Sequence, residues 1–200
     1  MKLERDFYLR DGVVVAKELL GKILVHHSKD GVVKGRIVEV EAYMGEVDKG
    51  SHSYKDKGKQ NGRTMIQYGE GGYAYIYMIY GMYYCMNVVA NTSNVPEAVL
   101  IRGIEPLYGI DLMKKRRGMD KVKNLCNGPG KLCIAFGIDK SNYGMDLCGD
   151  TLYIEEPERK ENFEIVASKR INIDYAEEAK DYLYRFSIKN SKYISVPIKE

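Results

Sequence analysis

Hydrophobic and polar positions change period several times along the chain, and each change marks an element. An apolar stretch after Asp11 predicts a short helix through residue 20, with Asp11 as its cap and Gly21 as a left-handed stop, although Val13, Val14 and Val15 are indifferent helix formers. Residues 22–27 read as a strand, Asp30-Gly31 is a hairpin signal, and residues 32–43 return as a second strand. Residues 45–72 are rich in Gly, Lys, Asp and Gln without a clear period, and a loop of that length is usually kept for function. Strand alternation resumes over 73–79 and 83–90, which puts Tyr80, Gly81 and Met82 at a hairpin tip. A strand over 99–104, a helix over about 105–115 and a short helix from Gly128-Pro129 to Gly137 follow. The remainder reads as strands at 152–154 and 163–168, a helical piece at 175–181, and a terminal strand or hairpin at 186–196. The pattern predicts an α+β fold: a single domain over residues 1–200, with a curved, mostly antiparallel β-sheet, short surrounding helices and a protruding β-hairpin.

Composition narrows the class. Two hundred residues with 44% hydrophobic content can bury a core without requiring a second domain. The longest strongly apolar stretches, 13–16 and 76–79, fall far short of the roughly 20 residues of a membrane helix, and the first residues lack the apolar core of a secretory signal. A cytoplasmic protein with no membrane association is expected. Cys85, Cys126, Cys133 and Cys148 match no zinc ribbon or redox pair, so no metal is expected and the thiols read as reduced, buried hydrophobes. The net charge of +3 does not announce a nucleic-acid binder. Lys114, Lys115, Arg116, Arg117, Lys121 and Lys123 form a basic stretch and residues 150–164 an acidic one, either two solvated surfaces or, for the first, a phosphate-facing patch. Gly69-Glu70-Gly71-Gly72 lacks the lysine of a phosphate loop, and no nucleotide cofactor is implied.

Two features could carry chemistry. In Arg36-Ile37-Val38-Glu39-Val40-Glu41-Ala42-Tyr43, alternation sends Val38, Val40 and Ala42 to one face and Glu39, Glu41 and Tyr43 to the other. An ordinary half-buried strand with a wet outer face has this pattern, and so does a pair of carboxylates for glycoside hydrolysis, with Cα atoms roughly 6.5 to 7 Å apart. The second feature is aromatic: seven of the 17 tyrosines lie between Tyr68 and Tyr84, with Tyr73, Tyr75 and Tyr77 on one strand face. Core packing explains such a stripe, as does stacking on a planar ligand such as a nucleobase. Tyr80 and Met82 flanking Gly81 favour the second reading, because a turn normally carries polar residues and a wedge entering a base step would carry large apolar ones. His52 is a lone histidine of the long polar loop; His26 and His27 sit at a strand end, where nothing in the sequence assigns them a role.

The ordered run of motifs resembles the alkyladenine (3-methyladenine) DNA glycosylase family. The matching stretches are Glu18-Leu19-Leu20-Gly21-Lys22, the run 35–43 ending in Glu41-Ala42-Tyr43, the run 74–83 with Tyr77 and Tyr80-Gly81, Cys85-Met86-Asn87, Leu100-Ile101-Arg102, Glu105-Pro106-Leu107, the run 128–132, and Tyr184-Arg185-Phe186. Together they cover residues from about 18 to 196 in the family's order. The resemblance implies a monofunctional enzyme that acts on double-stranded DNA, flips a damaged purine into a pocket and hydrolyses its bond to deoxyribose, with no cofactor, no metal and no covalent lysine intermediate. It implies a monomer associated with the nucleoid through DNA. Glu41 matches the general base and Arg102 the residue that holds Glu41 and the attacking water. Tyr43 would stack on one face of the flipped base and Tyr77 with His52 on the other, where a cationic alkylpurine gains cation–π attraction. Tyr80 matches the intercalating residue with Met82 beside it in the minor groove, and Asn87 the position that crowds the exocyclic amine of guanine.

The chain departs from the family at two places. Lys59-Gln60-Asn61-Gly62 stands where Thr-x-Arg-Asn is frequent, so backbone contacts of that loop do not carry over, and Lys59 or Arg63 is left to supply the charge. Gly50 stands where alanine is usual, which is expected to loosen the loop before His52. Two competing functions follow from the same residues: a non-catalytic nucleic-acid binder that retains the aromatic platform, and a carbohydrate hydrolase built on Glu39 and Glu41.

Overall fold

A computed structural model describes residues 1–56 and 62–198. Lys59, Gln60 and Asn61 therefore lie outside the described residues. Four α-helices are present among them: α1 (Arg5–Tyr8), α2 (Gly12–Leu19), α3 (Ile110–Arg117) and α4 (Pro129–Phe136). The strands are β1 (Ile23–Ser28), β2 (Gly31–Tyr43), β3 (Ala74–Ile79), β4 (Tyr83–Ala90), β5 (Glu97–Tyr108), β6 (Leu152–Glu155), β7 (Ile165–Ser168) and β8 (Arg185–Ile188). They form one antiparallel sheet in the order β3-β4-β5-β2-β1-β6, with β8 pairing β2 beyond the end of β1 and β7 pairing β8. The α+β class and the projecting hairpin follow from this arrangement.

Local signals set the ends of the helices. The Asp11 carboxylate accepts the N–H groups of Val13 and Val14, and Gly21 takes φ +83° just beyond α2, so the cap offsets the poor propensity of three successive valines. Pro129 opens α4, and Gly137 at φ +68° closes it. The expected hairpin between β1 and β2 forms, but Ser28 pairs with Gly31, so Lys29 and Asp30 make the turn one position earlier than the Asp30-Gly31 signal places it, and Gly31 opens β2 at φ +137°.

The core lies on one face of the sheet. Val40 and Ala42 from β2, Ile101 and Val99 from β5, Met86 and Val88 from β4, and Ile76 and Ala74 from β3 pack with Val15, Ala16 and Leu19 of α2 and with Leu132, Cys133 and Phe136 of α4. Alternation over these strands sends their intervening residues to the opposite face, where the functional candidates stand.

Several expected boundaries move. Residues 105–108 continue β5 as strand and the helix starts only at Ile110, because the 13-residue β2 offers a partner out to Tyr108. Pro106 is tolerated because β4 pairs β5 only as far as Leu100, which leaves no β4 partner for the N–H that Pro106 lacks. Val38 does not alternate into the core: the register slips between Ile37 and Glu39 and slips back between Glu39 and Val40, so Ile37 joins Val40 and Ala42 on the core side. Tyr73 forms only an isolated bridge with Asp146 and lies under Arg5, so the aromatic stripe narrows to Tyr75 and Tyr77. The terminal strand ends at Ile188, and the chain folds back over β2 through Ser195 and Val196. The expected helical piece at 175–181 is a 3-10 turn, Glu177–Asp181.

Candidate active site

Cross-strand register builds the site. Glu41 pairs with Leu100, Leu100 with Asn87, and Asn87 with Tyr75, so one row of side chains crosses β2, β5, β4 and β3 on the face opposite the core. Tyr77 and Cys85, two residues along their strands, form the next row. Arg102 has no Cα partner, because Glu39 pairs with Gly103 and Val40 with Ile101; it is the extra residue of the second register slip, and such a bulge re-aims a side chain. Over this face lies a cavity of about 570 Å³, within the range of small-molecule sites. The long loop closes it with His52 and Arg63, the β3–β4 hairpin with Tyr80, and a C-terminal segment with Ile171, Asn172 and Tyr175.

Glu41 is fully buried and sits behind the cavity wall formed by Tyr43, Arg102 and Ile171. Its Oε1 accepts the Ile171 N–H at 2.7 Å, and its Oε2 accepts the Tyr43 hydroxyl at 2.9 Å and Arg102 Nη1 at 3.3 Å. A carboxylate has about four lone-pair sites, so three donors leave it one further bond to accept. Burial, reinforced by the neighbouring Glu41 charge, pushes the Tyr43 phenol well above its usual range and keeps it a donor.

Glu39 has a different shell. Its Oε1 accepts Arg185 Nε at 2.7 Å and the Ser195 hydroxyl at 2.8 Å, and its Oε2 accepts the Ser195 N–H. Arg102 Nε stands 3.6 Å away and also donates to Ser195 Oγ at 3.3 Å. Gly103 makes room for this C-terminal strap: a Cβ there would lie 2.7 Å from the Tyr193 carbonyl oxygen and 3.1 Å from the Glu39 Cβ. Neither carboxylate is on a wet strand face, since both have no exposure.

The aromatic candidates surround the cavity. Tyr43 lines it from β2 and Tyr77 from β3. His52 packs edge-on to Tyr77 with ring centroids 4.6 Å apart, and its Nδ1 is hydrogen-bonded to the Tyr75 hydroxyl at 2.9 Å. Burial, and secondarily the Arg63 charge, lowers the His52 pKa to about 4, so the ring is neutral at neutral pH. Asn87 is buried, donates Nδ2 to the Tyr75 carbonyl at 3.1 Å and faces the cavity. The Cys85 thiol is pushed up to about 11 by burial and stays protonated beside Tyr77.

Tyr80 is 73% exposed at the hairpin tip and adopts φ +53°, followed by Gly81 at φ +68°. A left-handed conformation costs an L-residue roughly 1–2 kcal/mol, so a bulky tyrosine there is held against its preference. Met82 is 66% exposed on the same tip but does not line the cavity.

Thus Glu41, Arg102, Tyr43, His52, Tyr77 and Asn87 come together, Tyr80 stands on the rim, and Met82 stands outside it. Sequence reasoning missed the 171–175 segment, the Ser195 strap and the buried Arg170–Asp48 pair. None of these has a local signature, because each acts through partners more than a hundred residues away. Gly50 does not loosen its loop: its N–H donates to Asp48 at 2.9 Å, and a Cβ at that position would lie 2.9 Å from Arg170 Nη2.

The profile of the family described as Methylpurine-DNA glycosylase (MPG) matches residues 6–192. A Clostridium acetobutylicum protein named "Putative 3-methyladenine DNA glycosylase" is 55% identical over 208 residues, covering all of both chains. Proteins of the same name from Clostridium novyi, at 55% identity over 97% of this chain and 98% of the relative, and Alkaliphilus oremlandii, at 52% over 98% and 99%, are also similar.

Proposed function

Because this chain belongs to the methylpurine-DNA glycosylase family, we propose that it repairs duplex DNA by flipping alkylated or deaminated purines into the cavity and hydrolysing their N-glycosidic bond. The observation that carries this reading is the convergence of a buried, donor-held carboxylate, Glu41, with Tyr43, Tyr77 and His52 around one cavity of about 570 Å³, large enough to admit a purine. The flipped base stacks against Tyr43, with Tyr77 and His52 on its other side. Because His52 is neutral, it does not repel a purine made cationic by alkylation, and the tyrosine faces attract it.

Glu41 takes the proton from a water held by its remaining lone pair and by Arg102. The water oxygen bonds to the sugar C1′ while the C1′–N bond breaks and its electron pair leaves with the base. An alkylated base, cationic while bound to the sugar, departs neutral. Tyr80 fills the space the nucleotide vacates, and its strained exposed placement suits a wedge. In this reading the 200 residues act as one domain, as a monomer, on DNA in the cytoplasm, and no helix among the described residues is long and apolar enough to cross a membrane. A carbohydrate hydrolase is disfavoured because Glu39 is held by Arg185 and Ser195, neither of which lines the cavity, leaving one carboxylate beside it where two are needed.

The test is incubation with methylated duplex DNA followed by alkali. Strand breaks at abasic sites are expected with the parent chain and not with Glu41→Gln; intact strands with the parent would leave only a nucleic-acid binder.

A further inference from the structure

Arg170 and Asp48 are the most deeply buried ion pair among the described residues, with side chains 0% and 1% exposed, and the reaction scheme above does not use them. Their bonds join three separate segments of the cavity wall. Arg170 Nη1 donates to the Ala42 carbonyl at 3.0 Å, next to Tyr43, and Nη2 donates to Asp48 Oδ1 at 2.8 Å and to the Ala179 carbonyl at 3.1 Å. Asp48 in turn accepts the N–H groups of Met44 at 3.0 Å and Gly50 at 2.9 Å, which ties the end of β2 to the loop that carries His52. The guanidinium carbon lies 4.7 Å from the Tyr43 ring centroid. The next residue, Ile171, gives its N–H to Glu41.

We propose that Arg170, held by Asp48, is a positioning residue for base excision: it fixes the Tyr43 ring and the Ile171 N–H in one frame, so that the stacked purine and the Glu41 carboxylate keep their relative placement. This rests on the functional reading above. Tyr43 and Glu41 are joined directly by one hydrogen bond, which sets a distance but not the plane of the ring. The planar guanidinium supplies that plane by lying against the ring while its N–H groups bond both neighbouring backbones, which a lysine ammonium cannot reproduce. Gly50 belongs to the same device, since a side chain there would displace the guanidinium.

The test is single-turnover excision of one lesion in a duplex oligonucleotide, with rate and half-saturating DNA concentration measured separately. Arg170→Lys, which keeps the charge, is expected to lower the maximal rate on the order of 10- to 100-fold, as a small misplacement of reacting groups does, with half-saturation changed less than about threefold. Asp48→Asn and Gly50→Ala are expected to shift the same parameter by smaller factors, and they decide the matter if Arg170→Lys does not fold. Folded variants that excise at the parent rate, or whose loss lies wholly in half-saturation, overturn the proposal. Glu41→Gln runs in parallel: if it excises normally the functional reading fails, whereas an inactive Glu41→Gln beside a fully active Arg170→Lys removes only the positioning role.

Discussion

Glu39 and Glu41 stand two residues apart on the same face of β2, both without exposure, yet the regions around them are built differently. Around Glu39 three donors from Arg185 and the Ser195 strap bind both oxygens, and neither residue lines the cavity. Around Glu41 three donors also bind both oxygens, but they are themselves cavity walls. Burial of a carboxylate therefore does not distinguish structure from chemistry. What distinguishes them is whether the enclosing donors border a space a substrate can enter. Arg102 belongs to both regions, 3.3 Å from Glu41 and 3.6 Å from Glu39, so the Ser195 strap also holds a guanidinium that lines the cavity.

The strongest way to break this contrast is on the strap side. Arg185→Met leaves Glu39 a buried carboxylate without its closest cation and is expected to cost about 3–5 kcal/mol, a fall in Tm on the order of 10 °C, while the folded protein still excises. A variant that melts with the parent would mean that Glu39 is not held as a structural charge. On the cavity side the loss should fall on rate: Glu41→Gln is expected to slow excision by ~10²-fold or more, about 2.7 kcal/mol, with lesion-DNA affinity within a small factor and a smaller change in Tm. Near-parental rates would place the base elsewhere.

A pH effect sharpens the contrast further. The folded His52 binds its proton only near pH 4, whereas an unfolded histidine does so near 6.5, so between these values the unfolded chain holds more protons and stability falls as pH drops. Tm measured from pH 7 to 4 should decline less steeply in His52→Phe than in the parent, and parallel curves would show that His52 is not the group responsible. Selectivity is expected to move by a smaller amount. Asn87→Ser opens the edge where the 2-amino group of guanine would sit, and the excision ratio of undamaged guanine to hypoxanthine should rise roughly tenfold, about 1.4 kcal/mol. A fixed ratio in a folded, active variant removes Asn87 as the gate. The smallest effect belongs to the hairpin: Tyr80→Gly relieves the left-handed strain at the cost of chain entropy, so stability should hold or rise by about 0.5–1 kcal/mol while the fluorescence change of a reporter base on flipping shrinks. An unchanged flipping signal would leave Tyr80 an ordinary surface residue.

Much of the scaffold was legible because its causes are local. The Asp11 cap, the Gly21 and Gly137 stops, and the hairpins at Asp30-Gly31 and Tyr80-Gly81 depend on residues within a turn of one another. The placement of Glu41 and Tyr43 on one face was legible from a period of two. The inward residue before them was not, because the bulge at Val38 shifts the parity and brings Ile37 to the core in its place. Residues 105–108 read as a helix start from Glu105-Pro106, and only pairing along β2 makes them strand.

The sequence by itself determined the α+β class, the ends of α2 and α4, and the residue types of the candidate site, with Glu41, Arg102, Tyr43, His52, Tyr77 and Asn87 all found around one cavity. Tertiary structure alone decided which of two equivalent carboxylates meets that cavity, and that Arg170 and Asp48 lock its walls across 122 residues of chain. The reason is the range of the forces involved: caps, turns and strand alternation are fixed within a few residues, whereas a buried charge is defined by whatever distant segments supply its partners.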